Sequence, residues 1–275
     1  HRLVNAGLLE RVDTYTWRNA HAMLSTAQSY RPGCAGYQHH ISQATLDEHA
    51  VVFTNHPGSD DETSRPNYWA GNGVMPRAAQ HENVLVCIYH LPPRDAFPFS
   101  HAYFPSEAFD EVVECFPWIF GRKGDGYVAL FSQHPWHWVG AGETPGTDLR
   151  VDATDNIWLV EMGRQRSDEC QEGWDSFDAF VSAVASSFVS CEGLSVRFVS
   201  PSQGEVRFGW QEPLMVRGHQ VALRSDLRYD NPYCRCLAPR GSSPENGQAT
   251  DGLAFTIQRG DDALDIDLQR LTPPH

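Results

Sequence analysis

The hydrophobic positions of the chain fall mainly into short runs that are rich in β-branched and aromatic residues, with Gly, Pro, Asn and Asp between them. Such runs predict β-strands. The strongest is NVLVCIYHL at residues 83–91, whose continuous apolar run is typical of a strand that is covered on both faces. Further strands are predicted at residues 12–17, 50–56, 118–122, 126–132, 156–162, 195–199, 205–210, 214–216, 220–223, 253–258 and 263–268.

Residues 175–190 carry the one sustained helical pattern. Apolar side chains recur there at helical spacing, and Asp175 is a residue type that caps helix N-termini. We predict an amphipathic helix that covers a sheet with the side chains of Phe177, Phe180, Val181, Val184 and Phe188. Residues 106–114 are a second, shorter helix candidate.

The many strands, without an alternating βα rhythm, predict an all-β fold. Its economical form is a large antiparallel sandwich of two stacked sheets with one or two short helices. We expect an N-terminal strand set over residues 1–150 and a C-terminal strand set over residues 151–275. The segment 144–155 is the expected connection between the sheets.

Residues 56–77, HPGSDDETSRPNYWAGNGVMPR, have almost no aliphatic side chains and neither a helical nor a strand period. They predict a long loop, and loops of this length are usually either functional or disordered. The pair Tyr68 and Trp69 argues against disorder. Glycines that permit positive φ and prolines that restrict the chain predict a preorganised loop at a concave surface, with Arg65, Tyr68 and Asn72 turned toward a ligand.

Charge and composition narrow the partners. The formal net charge is −14, which argues against nucleic acid, because that affinity comes mainly from Lys and Arg. The apolar runs are far shorter than the roughly 20 residues of a membrane span. The chain begins at His1 without an apolar leader, so either a signal peptide is already removed or the chain is a piece of a longer protein, which we prefer. Cys87 is expected to be a buried free thiol.

Familiar catalytic motifs are missing. The sequence has no G-x-S-x-G elbow, no Walker loop and no complete dinucleotide fingerprint. Adjacent histidines such as His39 and His40 point to opposite faces if their segment is extended, so they cannot both bind one ion and no metal site is predicted. No cofactor is predicted either. The acids Asp60, Asp61 and Glu62 offer a carboxylate pair for glycoside hydrolysis, or else form a solvated acidic turn.

A resemblance adds to this picture. The chain resembles the C-terminal half of heparinase II/III-like proteins in phrases that include YRPGCAGYQHHISQATLDEHAVVFTNHPGSDDETSRPNYWAGNGVMPR, HAYFPSEAFDEVV and WIFGRKGDGYVALFSQ. The resemblance implies an antiparallel β-sandwich that follows a helical toroid, and a polysaccharide lyase-like activity in a secreted or periplasmic protein. The toroid, as a domain or a separate chain, would be a partner absent from this sequence. This chain alone is then expected to lack efficient turnover.

Uronate elimination requires an enzyme to neutralise a carboxylate, remove the adjacent proton and protonate the leaving oxygen. Arg65 and Asn72 have the chemistry for the first task, and Tyr68 and His81 for proton transfer. An ion pair of Arg65 with Asp60 or Asp61 is the structural alternative. The expected substrate-binding residues are Asn72, Trp69, Arg77 and Trp136.

The acidic balance of the chain favours a neutral or sparsely charged glycan over a polysulfate. Two other functions stay open. One is a non-catalytic carbohydrate-binding or structural sandwich, and the other is a glycoside hydrolase that uses an Asp/Glu pair.

Overall fold

A computed structural model describes residues 12–28, 30–140, 146–168 and 171–223, together with the backbone of four short strands beyond them. The chain forms two compact units, His1–Leu223 and Arg224–His275. The first unit contains eighteen strands among its described residues: β1 (Asp13–Arg18), β2 (Met23–Gln28), β3 (Ser42–Thr45), β4 (Val51–Asn55), β5 (Arg77–His81), β6 (Val84–His90), β7 (Ser100–Tyr103), β8 (Glu111–Cys115), β9 (Trp118–Lys123), β10 (Gly126–Ser132), β11 (His137–Trp138), β12 (Asp148–Val151), β13 (Asp155–Arg164), β14 (Val189–Glu192), β15 (Ser195–Ser200), β16 (Gly204–Gly209), β17 (Met215–Val216) and β18 (His219–Gln220).

These strands form three antiparallel sheets. A seven-stranded sheet has the order β1-β2-β3-β4-β7-β12-β11, and a six-stranded sheet has the order β5-β6-β13-β10-β9-β8. A five-stranded sheet runs from β14 to β18 in chain order. The second unit contains a four-stranded antiparallel sheet of β19 (Asp230–Asn231), β20 (Cys234–Arg235), β21 (Ala254–Arg259) and β22 (Asp262–Asp267).

Two hydrophobic cores lie on opposite faces of the six-stranded sheet. Strand β6 shows why its run is apolar throughout, because successive side chains point to opposite faces. Leu85, Cys87 and Tyr89 join the core shared with the seven-stranded sheet. Val84, Val86 and Ile88 join the core shared with the helix and the five-stranded sheet. The predicted all-β sandwich is confirmed, and a further sheet and one helix cover its second face.

The helix α1 (Phe177–Ala185) is shorter than the predicted segment 175–190. Its N-cap is Ser176, one residue after the predicted cap, and the Ser176 hydroxyl accepts a hydrogen bond of 3.1 Å from the Ala179 amide. Phe180 is fully buried, as predicted. Phe188 lies beyond the helix and is 51% exposed, because the chain turns into β14 at Val189.

The helix predicted at residues 106–114 is wrong. Only a short 3-10 turn forms at Ser106–Ala108, and β8 follows it as an edge strand paired with β9. The β-branched pair in β8 favours the extended state once a partner strand is present. The expected connection at 144–155 also contains a strand, β12, which pairs with β7 and β11.

Strands from both predicted strand sets share one sheet. Strand β13, which begins after residue 150, lies between β6 and β10 in the six-stranded sheet. Cys87 is buried and free, as expected. Among the residues with a described structure, no helix has the length and apolar character needed to cross a membrane.

Candidate functional site

The predicted loop is an irregular segment that passes from one sheet to another. Residues 56–76, which we call the layer-crossing loop, connect β4 in the seven-stranded sheet to β5 in the six-stranded sheet. Its base is held by backbone hydrogen bonds: Gly36 and Asn72 bond each other twice at 2.8 Å, and the Gly73 amide donates to the His56 carbonyl at 2.8 Å. The loop is therefore ordered without regular secondary structure.

Asn72 anchors this loop from inside the protein. Its side chain is fully buried, and its carboxamide oxygen accepts hydrogen bonds from the His56 amide at 3.1 Å and the Tyr89 hydroxyl at 3.3 Å. Its carboxamide nitrogen donates to the His39 carbonyl at 2.8 Å. Gly71 precedes it at φ +87°, where a Cβ atom would lie 2.2 Å from the Tyr37 carbonyl oxygen. Asn72 thus contacts protein groups, whereas we predicted that it faces a ligand.

Tyr68 is joined to two residues of the seven-stranded sheet. Its hydroxyl donates a hydrogen bond of 2.6 Å to Asp148 Oδ2, and Asp148 Oδ1 lies 3.0 Å from His101 Nδ1. Asn55 holds the Tyr68 carbonyl with a 2.8 Å hydrogen bond. Burial, followed by the hydrogen bond and the charge of Asp148, raises the pKa of Tyr68 well above its usual value. The hydroxyl therefore keeps its proton at neutral pH and acts as a donor.

His101 is the buried member of this Tyr68–Asp148–His101 group. Its side chain is fully buried, and burial lowers its pKa against the opposing effect of Asp148. A neutral ring that donates from Nδ1 to Asp148 carries its lone pair on Nε2. The Tyr68 carbonyl, an acceptor beside the ring, raises the pKa of His101 to a smaller extent than Asp148 does. His101 Nε2 has no hydrogen-bond partner among the described residues. The Trp69 ring stacks on His101 with centroids 4.1 Å apart.

His56 is a second buried histidine, and its ring is satisfied. The Val74 amide donates to His56 Nδ1 at 2.9 Å, so Nε2 carries the proton and lies 3.0 Å from the Phe97 carbonyl. Asp95 lies 3.3 Å from the same nitrogen. Burial lowers the pKa of His56. The residue fixes the start of the layer-crossing loop.

Arg65 lies at the exposed tip of the loop. Its guanidinium donates to the carbonyls of Glu62 at 2.8 Å and Ser64 at 2.6 Å. Within the described residues it forms no ion pair with Asp60 or Asp61, the structural alternative considered above. The guanidinium is therefore held by main-chain oxygens of the loop itself.

The acids Asp60, Asp61 and Glu62 form an exposed turn. Asp61 Oδ1 accepts hydrogen bonds from the Thr63 amide at 2.9 Å and the Thr63 hydroxyl at 2.7 Å. These bonds lower the pKa of Asp61. A carboxyl group with a lowered pKa is poorly suited to act as the proton donor of a glycoside hydrolase.

The other predicted site residues lie elsewhere in the first unit. Arg77 donates a hydrogen bond to the Gly209 carbonyl and lies over the Phe208 ring at 4.6 Å, and burial lowers its pKa. His81 ends β5, where it pairs with Val84. Trp136 packs against the first core, and its Nε1 donates to the Pro117 carbonyl at 3.4 Å. In contrast, the structure brings Tyr68 and Trp69 together around His101.

Sequence reasoning missed His101 and Asp148. They stand on β7 and β12, two neighbouring strands that the sequence pattern did not predict. Asp148 is 80 residues from Tyr68 and 47 from His101, so no local motif records the arrangement. The phrase HAYFP, which begins at His101, belongs to the resemblance, which implies no role for that histidine.

In the part of the chain that the structure describes, no three His, Cys, Asp or Glu side chains are grouped so that they could hold a metal ion. What the arrangement offers is acid–base chemistry: a protonated phenol, a carboxylate and a neutral imidazole in one chain of hydrogen bonds. No protein family, curated protein or solved structure compared with the chain matches it.

Proposed function

We propose that this chain is the β-sandwich part of a polysaccharide-degrading, lyase-like enzyme, and that the layer-crossing loop contributes to its glycan cleft. The observation that carries the proposal is the Tyr68–Asp148–His101 group, in which one carboxylate orients both a phenol and a buried imidazole with an unpaired Nε2. The resemblance described above supports the same class. Under this proposal the partners are a polysaccharide and a helical toroid, and the protein is secreted or periplasmic.

The group suits proton transfer in an elimination. Removal of the proton next to a carboxylate needs a base, and departure of the glycosidic oxygen needs an acid. His101 Nε2 supplies the lone pair, and Asp148 at Nδ1 stabilises the imidazolium that would form, as the carboxylate does in other Asp–His pairs. The Tyr68 hydroxyl is protonated at neutral pH, so it is the group that has a proton to give to the leaving oxygen.

Access to His101 requires the loop to move. His101 is fully buried and is covered by Trp69, which stacks on its ring at 15°. Trp69 belongs to the layer-crossing loop, which contains no helix or strand and can shift without breaking a sheet. Arg65 at the exposed tip is the residue of this loop that would meet a substrate carboxylate. The proposed site around the Tyr68–Asp148–His101 group does not include His81, Arg77 or Trp136.

The test is turnover of a panel of uronate-containing and neutral glycans by the natural polypeptide that carries these residues. An unsaturated product that absorbs in the ultraviolet is the expected result. Tyr68→Phe should lower turnover strongly, whereas the matched variant Tyr103→Phe should not, because the Tyr103 hydroxyl has no partner among the described residues. Equal turnover of the two variants would refute the assignment.

A non-catalytic carbohydrate-binding function is the second candidate. Phe53, Tyr68, Trp69 and Tyr103 form a cluster of half-buried rings, with Phe53 and Tyr103 stacked at 5.0 Å and Trp69 edge-on to both. Aromatic faces of this kind bind sugar rings without chemistry. Glycan binding without any product in the panel would favour this function.

A further inference from the structure

A groove of about 750 Å³ lies in the first unit, beyond the end of β5 that is remote from the layer-crossing loop. The loop precedes Arg77 at the start of β5, whereas Glu82 and Asn83, which follow β5, line the groove. Its other walls come from β1, the end of β13, residues 166 and 172–174 that follow β13, the turn after β15, and Arg217 after β17. The groove is therefore a site distinct from the Tyr68–Asp148–His101 group.

The charge of the groove is opposite to that of the whole chain. Four arginines line it, against two glutamates, Glu82 and Glu172, in a chain with a net charge of −14. The side chains that decide its chemistry are Trp17, Arg18, Arg164, Arg166, Trp174 and Arg217. A cluster of guanidinium groups in an acidic protein attracts anions locally although the long-range field repels them.

One of these arginines has no counter-charge among the residues whose structure is described. The Arg164 guanidinium makes no hydrogen bond or ion pair with any residue that the structure describes. Arg166, by contrast, pairs with Asp175 at 2.7 Å. Arg217 donates to the Gln203 carbonyl at 2.7 Å. Arg164 is thus available for an external anion, and Arg166 also lines the groove.

The polar wall behind Ser202 is fixed by a buried network. Glu161 is fully buried, its Oε1 accepts a 2.7 Å hydrogen bond from the Ser202 hydroxyl, and its Oε2 has no partner among the described residues. Gln203 Nε2 donates to Asn83 Oδ1 at 2.6 Å, and Asn83 Nδ2 donates to the Met162 carbonyl at 2.6 Å. Because Ser202, Gln203 and Asn83 line the groove, this network holds its shape before a ligand arrives.

We propose that the groove binds the carboxylate or sulfate group of an acidic oligosaccharide, with Arg164 and Arg166 on the anion and Trp17 and Trp174 against the sugar rings. Guanidinium groups bind carboxylate and sulfate with paired hydrogen bonds, and indole rings cover the apolar face of a sugar. The choice of a saccharide rests on the proposed function, but the anion site does not. The net charge of the chain favours an uncharged glycan, but the arginines of the groove provide a local site at which an acidic glycan can bind.

The experiment is a calorimetric titration of the purified chain with three probes: a uronate tetrasaccharide, its carboxyl-reduced counterpart and inorganic sulfate. The uronate tetrasaccharide should bind at least about tenfold more tightly than the reduced form, since a hydrogen-bonded charge contributes that much affinity. Arg164→Gln and Arg166→Gln should each weaken binding by about tenfold. Arg197→Gln is the matched control, because Arg197 pairs with Glu205 outside the groove at 2.6 Å.

Several outcomes would overturn the groove assignment. One is wild-type affinity in both Arg164→Gln and Arg166→Gln, with thermal melts confirming that the variants are folded. Equal affinity for the uronate and reduced tetrasaccharides would also exclude an anion site. Sulfate binding without any gain from the sugar would exclude the saccharide. Arginine-dependent binding by the chain, together with an absence of turnover by the natural polypeptide that carries these residues, would support the groove and count only against the proposed lyase function.

Discussion

The Tyr68 hydroxyl donates a hydrogen bond of 2.6 Å to Asp148 across 80 residues of sequence. This bond joins an irregular loop to β12, and we predict that it contributes to stability independently of any activity. Tyr68→Phe should lower the free energy of unfolding by about 1 kcal/mol, because a charged acceptor loses its donor while the ring packing is kept. Urea unfolding of Tyr68→Phe beside Tyr103→Phe measures this difference. A larger loss in Tyr103→Phe would show that the bond is not the cause.

The buried residues His56 and His101 should stay neutral to unusually low pH. Burial lowers the pKa of both His56 and His101 below the ordinary value of 6.5. Asp148 opposes this effect at His101, so Asp148→Asn should lower the pKa of His101 further and leave His56 nearly unchanged. Titration of the imidazole C2 proton signals by NMR checks both statements. A rise in the pKa of His101 in the Asp148→Asn variant would contradict them.

Glu161 should make stability depend on pH. Burial raises its pKa from 4.5 to about 7. The native state therefore keeps this proton to higher pH than the unfolded chain, so its contribution is complete below about pH 4.5 and is lost as pH rises through about 7. The loss is about 3 kcal/mol by linkage. Glu161→Gln removes the titrating group and therefore this loss. The unfolding free energy of the variant should rise relative to that of wild type between pH 4.5 and pH 8.

Comparison of Glu161→Gln with wild type isolates the contribution of Glu161 to the pH dependence of stability. The lowered pKa values of His56 and His101 act in the opposite direction, since their contribution is present above pH 6.5 and is lost as pH falls. They are common to both proteins and cancel in the difference. Glu107→Gln, at an exposed position, is the control and should show no such pH dependence.

Phe180 should be the most important side chain of α1. It is fully buried between Phe120, Tyr127 and Trp174, with ring centroids at 6.1, 5.6 and 5.6 Å. Phe180→Ala should cost about 3 to 5 kcal/mol of unfolding free energy, because it leaves a cavity. Phe188→Ala, at a half-exposed position outside the helix, should cost less than about 1 kcal/mol. Chemical denaturation of the two variants distinguishes them.

Gly71 should tolerate no side chain. It has φ +87°, and a Cβ atom would meet the Tyr37 carbonyl oxygen at 2.2 Å. Gly71→Ala should lower the unfolding free energy by about 2 kcal/mol or more, from backbone strain and from displacement of the Gly36–Asn72 hydrogen bonds. Gly140→Ala, where a Cβ atom meets nothing within 4 Å, is the control. Equal stability of the two variants would show that the loop base adapts.

The sequence predicts those elements whose signal is local. Strand β6 and the core face of α1 are visible because burial on two faces, or on one helical stripe, leaves a periodic apolar pattern. Strands β2, β3 and β7 read MLSTAQ, SQAT and SHAY, which are too mixed to show a period. Their extended state depends on neighbouring strands, which no local pattern records.

The same difference between local patterns and long-range pairing decides which residues of the candidate site the sequence reveals. Tyr68 and Trp69 stand out because aromatic residues are conspicuous in a loop with almost no aliphatic side chains. His101 and Asp148 look ordinary in sequence and become partners only when β7 pairs with β12. The groove is harder still to foresee, since its arginines come from segments as distant as residues 18 and 217.

The layer-crossing loop is a place where the chain can be cut while the fold is kept. Its tip between Asp60 and Thr63 is exposed, whereas its base is fastened by the hydrogen bonds of Gly36 with Asn72 and of Gly73 with His56. Proteolytic cleavage at the tip would leave all of these hydrogen bonds intact. The two fragments should therefore stay associated after cleavage, and the tip is the natural place to insert a reporter or to begin a circularly permuted chain.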